Sequence, residues 1–136
     1  ATAITSEADF AASQVVTPYL GPTVLIGVDH SMSVMRDESF GPVVGIVKVS
    51  SDDEAVALMN DSPYGLSASV WSRDVEAAIA LGDRVETGTW YLNRCDYLDP
   101  ELAWTGVKDT GHGISLSPLG FEAVTRVKSF HLKLPN

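Results

Sequence analysis

Glu38-Ser39-Phe40-Gly41-Pro42 runs directly into Val43-Val44-Gly45-Ile46-Val47, and the prediction of the fold starts from this segment. The apolar run, which continues to Val49, predicts a strand that is apolar on both faces. Such a pattern is typical of a central parallel strand covered by helices on each side. Gly41-Pro42 allows the backbone to turn sharply before the strand begins.

Glu38 and Phe40 form a candidate ligand-binding pair immediately before that strand. Side chains two residues apart in an extended segment point to the same side, so the carboxylate and the ring should share one face. This combination suits a ligand with hydroxyls beside a flat heterocycle, such as the ribose and nicotinamide of a dinucleotide. The alternative is a solvated acid beside a core phenylalanine.

The flanking sequence alternates between strand and helix patterns. Strands are predicted at 23–28, 43–49, 66–71 and 88–92, and helices follow the capping residues Asp29, Ser51 and Asp74. Ser51 and Glu54 have the spacing of a capping box, and Ala55, Leu58 and Met59 form the predicted buried stripe. This order predicts an α/β fold with an open, mostly parallel sheet, right-handed crossovers and flanking helices.

The C-terminal part is predicted to contain a long loop, a helix and a last strand. Residues 93–116 form a glycine-punctuated loop, and loops of that length are usually functional. Ser117 is the predicted cap of the helix, with Pro118 at its first position. After it, apolar and polar residues alternate over 130–134, which predicts a strand with one apolar face.

Composition excludes several classes of function. The 136 residues carry a net charge of −9 with a pI near 4.5, which argues against nucleic acid and anionic membrane partners. No uncharged span is long enough to cross a membrane. The single cysteine excludes an internal disulfide and favours a reducing, cytoplasmic location. The three histidines lack metal-ligand spacing, so no metal site is predicted.

Four blocks of the sequence resemble the NAD(P)-dependent aldehyde dehydrogenase superfamily. They are 37–43 with its Glu-x-Phe-Gly-Pro segment, 60–74 (Asn-Asp-Ser-Pro-Tyr-Gly-Leu and onward), 88–93 (Gly-Thr-Trp-Tyr-Leu-Asn) and 106–113. The blocks occur in family order and spacing from about Pro22 to the end. Family members are several times longer, and the chain resembles only the C-terminal part of their catalytic domain. The start at Ala1 without methionine suggests a processing or cleavage boundary.

The resemblance implies a role for Glu38 and Phe40 in holding NAD or NADP. Their family counterparts bind the nicotinamide ribose hydroxyls and pack against the nicotinamide ring. In the family, an aldehyde is oxidised to a carboxylate through a cysteine thiohemiacetal, hydride transfer and thioester hydrolysis. The dinucleotide fold that grips the rest of the cofactor is missing from this sequence, so cofactor binding by the chain alone should be weak or absent.

The resemblance also assigns the loop after the third block to one wall of an aldehyde pocket, with Cys95, Asp96, Leu98 and Trp104 as candidate substrate contacts. The alternative is a small hydrophobic cluster beneath a long loop. Cys95 is not the family nucleophile, which has a Gly-Gln-x-Cys context absent here. The family's general base is absent too. Thr105 replaces a family glycine, which should alter the loop.

Two functions follow from these expectations. The first is a C-terminal portion of an aldehyde-oxidising enzyme, inactive alone, whose residues 22–124 form the α/β core of a single domain. Residues 125–136 would then be an oligomerisation strand, giving a homodimer or a dimer of dimers. The second is a stand-alone, non-catalytic assembly or binding module from a truncated or split gene. The coding frame upstream of Ala1 would distinguish them.

Overall fold

The computed structural model describes residues 1–10, 19–95 and 97–135, which fall into two compact units, one within 1–62 and the other within 63–136. Unit 1 contains β1 (Thr2–Ala3), a 3-10 turn (Glu7–Asp9), β2 (Thr23–Ile26), α1 (Ser33–Arg36), β3 (Val43–Ile46) and α2 (Asp52–Asn60). Unit 2 contains β4 (Tyr64–Gly65), β5 (Ser67–Val70), α3 (Val75–Gly82), β6 (Thr89–Leu92), β7 (Val107–Lys108) and α4 (Ser117–Val124).

The sheet of unit 1 has the order β1-β2-β3. β2 pairs with β3 in parallel, with Thr23 opposite Val43, and with β1 in antiparallel orientation. β3 therefore lies at the edge of this sheet, and its side chains Val44 and Ile46 are 54% and 52% exposed. The parallel pairing agrees with the sequence, whereas the predicted central position and the extension to Val49 do not. Within the described residues, no strand pairs with the second edge of β3.

The capping box of α2 forms in a modified way. Ser51 is the N-cap, and its hydroxyl accepts a hydrogen bond from the Glu54 amide (3.2 Å). The Glu54 carboxylate, however, accepts from the hydroxyl and amide of Ser50 (2.7 and 2.8 Å) rather than from the cap residue. These bonds, the hydroxyl first, lower the pKa of Glu54 because they favour its charged form. They stabilise the fold above the ordinary pKa of a glutamate, and this contribution is lost as pH falls.

Two details of unit 1 differ from the sequence prediction. Asp29 does not cap α1, which begins only at Ser33, because its carboxylate accepts from the Ser31 amide (2.8 Å) in a turn before the helix. In α2 the buried residue is Val56, whereas Met59 is 39% exposed. Ala55 and Leu58 of the predicted stripe are half-buried, so the prediction is wrong at Met59 and misses Val56.

Unit 2 is built on the parallel pair β5–β6, with Ser67 opposite Thr89 and Val70 opposite Leu92. The intervening helix α3 begins where the Asp74 carboxylate accepts from the Ala77 amide (2.9 Å), as the sequence predicts. Ala78 is only 1% exposed. The Trp90 indole donates to the Ala78 carbonyl oxygen (3.0 Å), and the helix can approach this ring because Gly82 has no side chain.

The loop that follows β6 is more ordered than predicted. It contains β7, which pairs antiparallel with β4, and a backbone bridge between Trp104 and Ser115. A β-carbon at Gly88 would collide with the Thr105 carbonyl oxygen, so the loop lies directly against the start of β6. Glycine is therefore required at position 88.

The C-terminal segment does not form the predicted strand. α4 follows Leu116, which is its N-cap in place of the predicted Ser117. Residues 125–135 form neither helix nor strand, and Phe130, Leu132 and Leu134 are between 72% and 78% exposed. A strand needs a neighbouring strand to satisfy its backbone groups, and none within the described residues pairs with this segment. The domain division at 124/125 stays a prediction.

The α/β fold is confirmed, with parallel β2–β3 and β5–β6 pairs and four flanking helices among the described elements. The expected sheet is distributed over hydrogen-bonded groups of three, two and two strands. None of the helices in the described part of the chain is long and apolar enough to span a membrane.

Candidate functional site

The first candidate site is the connection between α1 and β3 in unit 1. α1 ends where the Asp37 amide donates to the Ser33 carbonyl oxygen (2.8 Å), and Asp37 is already extended. At the other end, the Ser39 hydroxyl accepts from the Gly41 amide (3.2 Å), and the Pro42 carbonyl oxygen accepts from Thr23 on β2 (2.8 Å). The segment is thus held at both ends.

Glu38 and Phe40 both lie on the surface of unit 1. The Phe40 ring is 96% exposed, so it does not belong to the core. The alternative of a solvated acid beside a core phenylalanine is therefore wrong for Phe40. Beside the segment, a shallow depression of about 300 Å³ is lined by residues 22–24 and 41–44. An exposed ring offers a flat apolar face, and the carboxylate accepts hydrogen bonds from hydroxyls. Both side chains are therefore accessible to a ligand.

The second candidate site is the start of the loop after β6 in unit 2. Cys95 is a free, exposed thiol, and Leu98 is 54% exposed. The Arg94 guanidinium lies 3.8 Å from the centre of the Tyr97 ring, a cation–π contact. Asp96, another predicted substrate contact, lies outside the described residues.

Trp104 lies at the other end of this loop. Its amide donates to the Ser115 carbonyl oxygen (2.7 Å), and its carbonyl accepts from the Ser115 amide (2.9 Å). The side chain lines a cleft of about 380 Å³ together with Leu66, Thr110 and Ile114, among others. Cys95 and Leu98 are not among the lining residues. Among the described residues, this cleft therefore does not join Trp104 to Cys95 or Leu98, and the shared aldehyde pocket stays a prediction.

Thr105, which replaces a family glycine, uses its hydroxyl within the loop. Its Oγ1 donates to the Gly113 carbonyl oxygen (2.9 Å) and so closes the turn between these residues. The Gly65 amide donates to Thr110 Oγ1 (2.7 Å), which fixes the same turn to β4. The Thr105 side chain is thus bonded within the loop.

Several residues that shape this region were given no role from the sequence. Tyr91 is buried in β6, and its hydroxyl donates to the Tyr97 carbonyl oxygen (2.7 Å), which holds the loop near Cys95. Asn93, at the end of β6, has φ of 54° and bonds through its side chain to Ser72. An asparagine directly after a strand is a recognisable signal, because asparagine tolerates this left-handed conformation. No group of three metal-ligating side chains occurs among the described residues.

The chain is similar to known proteins over most of its length. The model of the aldehyde dehydrogenase family matches residues 5–130, which begins before the predicted limit at Pro22. Geranial dehydrogenase of Castellaniella defragrans is 41% identical over 84% of this chain and 24% of its own length. The NADP/NAD-dependent aldehyde dehydrogenase PuuC of Escherichia coli is 35% identical over 85% of this chain and 23% of its own.

A solved structure gives the same result for the fold. The NAD-dependent aldehyde dehydrogenase of Sinorhizobium meliloti superposes with a TM-score of 0.80 and 40% identity, covering 87% of this chain and 24% of that protein. The chain thus spans about a quarter of the length of the relatives that it matches.

Proposed function

Because this chain belongs to the aldehyde dehydrogenase family, we propose that it is the C-terminal part of a catalytic domain that oxidises an aldehyde to a carboxylate with NAD or NADP. Relatives named as aldehyde dehydrogenases support the oxidation of aldehydes in general. The nucleophilic cysteine, the general base and the phosphate-binding fold would come from residues outside this sequence. The chain alone would therefore be inactive.

The observation that carries this proposal is the exposure of Phe40 (96%) beside the exposed carboxylate of Glu38. A phenylalanine in full contact with water is unfavourable unless another group covers it. In the proposed site, Phe40 packs against the nicotinamide ring and Glu38 accepts hydrogen bonds from the ribose hydroxyls. A nicotinamide held there by Phe40 and Glu38 would supply the hydride acceptor that oxidation of the aldehyde requires.

The loop of unit 2 would contribute one wall of the aldehyde pocket through Cys95, Asp96, Leu98 and Trp104. The exposed side chains of Cys95 and Leu98 support this role, because both are free to contact a substrate. Trp104 would contribute from the separate cleft near Ser115. Cys95 would act as a contact and not as the nucleophile.

We further propose that the protein works as a homo-oligomer in the cytoplasm. The exposed apolar side chains of residues 127–134 support self-association. Cys95, which is a free thiol in the structure, supports a reducing location.

In the longer enzyme that contains this chain, Glu38→Gln should slow hydride transfer. The change keeps the shape but removes the charged acceptor, which should weaken the ribose hydrogen bonds by about 1–3 kcal/mol. The nicotinamide would then be held less well for transfer. Pre-steady-state NADH formation measures the effect. The 136-residue chain alone, assayed in parallel over a panel of aldehydes, should form no NADH.

Asp37→Asn is the matched control, because it also replaces a carboxylate by an amide. Asp37 directly precedes Glu38 and is the C-cap of α1. This variant should leave the hydride-transfer rate unchanged. Equal rates for wild type and Glu38→Gln would rule out the ribose contact. Turnover by the isolated chain that disappears in Cys95→Ser would show that Cys95 is a nucleophile after all.

A further inference from the structure

Asn93 ends β6 at the point where the proposed pocket loop leaves the sheet. Its backbone still follows the parallel ladder, because the Asn93 amide donates to the Val70 carbonyl oxygen (2.8 Å). Its φ of 54° is left-handed, a conformation that asparagine adopts more readily than most residues. The chain therefore turns out of the sheet at this residue, two positions before Cys95.

The turn deprives β5 of its next two backbone partners. In the register of β5 and β6, position 93 lies opposite position 71. If the evenly spaced parallel ladder continued, the Ser72 amide would donate a hydrogen bond to the carbonyl oxygen of residue 93. The amide of residue 95 would donate to the Ser72 carbonyl oxygen. Both backbone groups move away when the chain turns.

The side chain of Asn93 takes both of these bonds. The Ser72 amide donates to Asn93 Oδ1 (2.9 Å), and Asn93 Nδ2 donates to the Ser72 carbonyl oxygen (2.8 Å). A side-chain amide carries the same acceptor and donor as a peptide group, so it can stand in for the missing section of ladder. Aspartate has no such donor, and serine is too short to supply both groups at once.

We infer that Asn93 is a positioning residue, whose side chain extends the β5–β6 ladder and thereby fixes the direction in which the pocket loop leaves the sheet. For its effect on substrate binding, the inference rests on the proposed function, which makes this loop a wall of the aldehyde pocket. The hydrogen bonds themselves do not depend on it. The loop start is held independently of Trp104, which is fixed by its bridge to Ser115.

The single cysteine of the chain provides a direct test. A nitroxide label on Cys95 in the 136-residue chain reports motion of the loop start by electron paramagnetic resonance. Asn93→Gly keeps the left-handed backbone without strain but removes both bonds, so the label should become more mobile. Asn93→Asp keeps the acceptor for the Ser72 amide and should give an intermediate spectrum. Ser72→Ala, which leaves the Ser72 backbone intact, should match the wild type.

Steady-state kinetics of the longer enzyme supply the second readout. Asn93→Gly should raise KM for the aldehyde about tenfold, with KM for the cofactor unchanged. A purely structural role would instead lower kcat through loss of folded enzyme, without this split. An unchanged label spectrum in Asn93→Gly would overturn the inference. A more mobile label with an unchanged aldehyde KM would uphold the hydrogen bonds and overturn the proposed pocket wall.

Discussion

Replacing Gly88 by alanine should lower the free energy of unfolding of this protein by about 3 kcal/mol. The added β-carbon would collide with the Thr105 carbonyl oxygen, and the Gly106 backbone lies 3.0 Å from the same point. Backbone atoms cannot move aside as the end of a flexible side chain can. The loop would have to separate from the start of β6. Equilibrium unfolding in urea, followed by circular dichroism, measures the loss.

Gly41→Ala is a suitable control for this substitution. The nearest atom to a β-carbon there is Ser39 Oγ at 3.4 Å, an ordinary contact at the end of a small side chain. Its stability should change by less than about 1 kcal/mol. If Gly88→Ala were as stable as Gly41→Ala, the close approach of the loop to β6 would be wrong.

Leu132→Asp should convert an associated wild-type protein into monomers. Val127, Phe130, Leu132 and Leu134 are all more than 70% exposed, and burying large apolar side chains yields about 1.5–3 kcal/mol each. We expect two-fold pairing of the 125–136 segments, which would also satisfy their backbone groups. The net charge of −9 opposes association only weakly, because salt screens it over about 8 Å. Sedimentation at micromolar concentration measures the molecular mass.

His131→Asp introduces the same charge at the adjacent position, which points to the opposite side of an extended segment. It should leave the association intact, so the pair of variants separates a specific apolar face from general repulsion. A wild-type chain that sediments as a compact monomer would refute the pairing. So would a folded Leu132→Asp variant with unchanged mass.

Features that depend on short stretches of sequence were predicted well. The caps at Ser51 and Asp74 form because a hydroxyl or carboxylate can reach an amide three residues later whatever surrounds it. The strand pairs β2–β3 and β5–β6 are parallel, as strands separated by a helix usually are. The caps require only residues close in sequence, and the parallel pairing follows from the order strand, helix, strand.

Features that depend on distant contacts were predicted less well. The apolar pattern of 43–49 could not reveal that β3 would lie at an edge, because a pattern shows which faces are apolar and not what covers them. The alternating pattern at 130–134 likewise could not reveal that none of the described strands pairs with this segment. For Asn93, the position after the strand was visible, but its two bonds to Ser72 depend on the register of β5 with β6. The resemblance to known enzymes favours Glu38 and Phe40 as cofactor contacts, a role that spacing alone left open and that stays a proposal.

The contact between the Trp90 indole and α3 lies within one strand–helix–strand segment, 67–92. The connection from β5 to β6 is short, so closing it costs little chain entropy. Contacts between residues near in sequence also form quickly. We expect this segment to be the folding nucleus of unit 2, onto which residues 93–116 condense later. Pulse-labelled hydrogen exchange during refolding should therefore protect the amides of 89–92 before those of Trp104 and Ser115. Simultaneous protection would show that the loop takes part in nucleation. With the expected order, the backbone support of the proposed pocket exists before the residues that line it are in place.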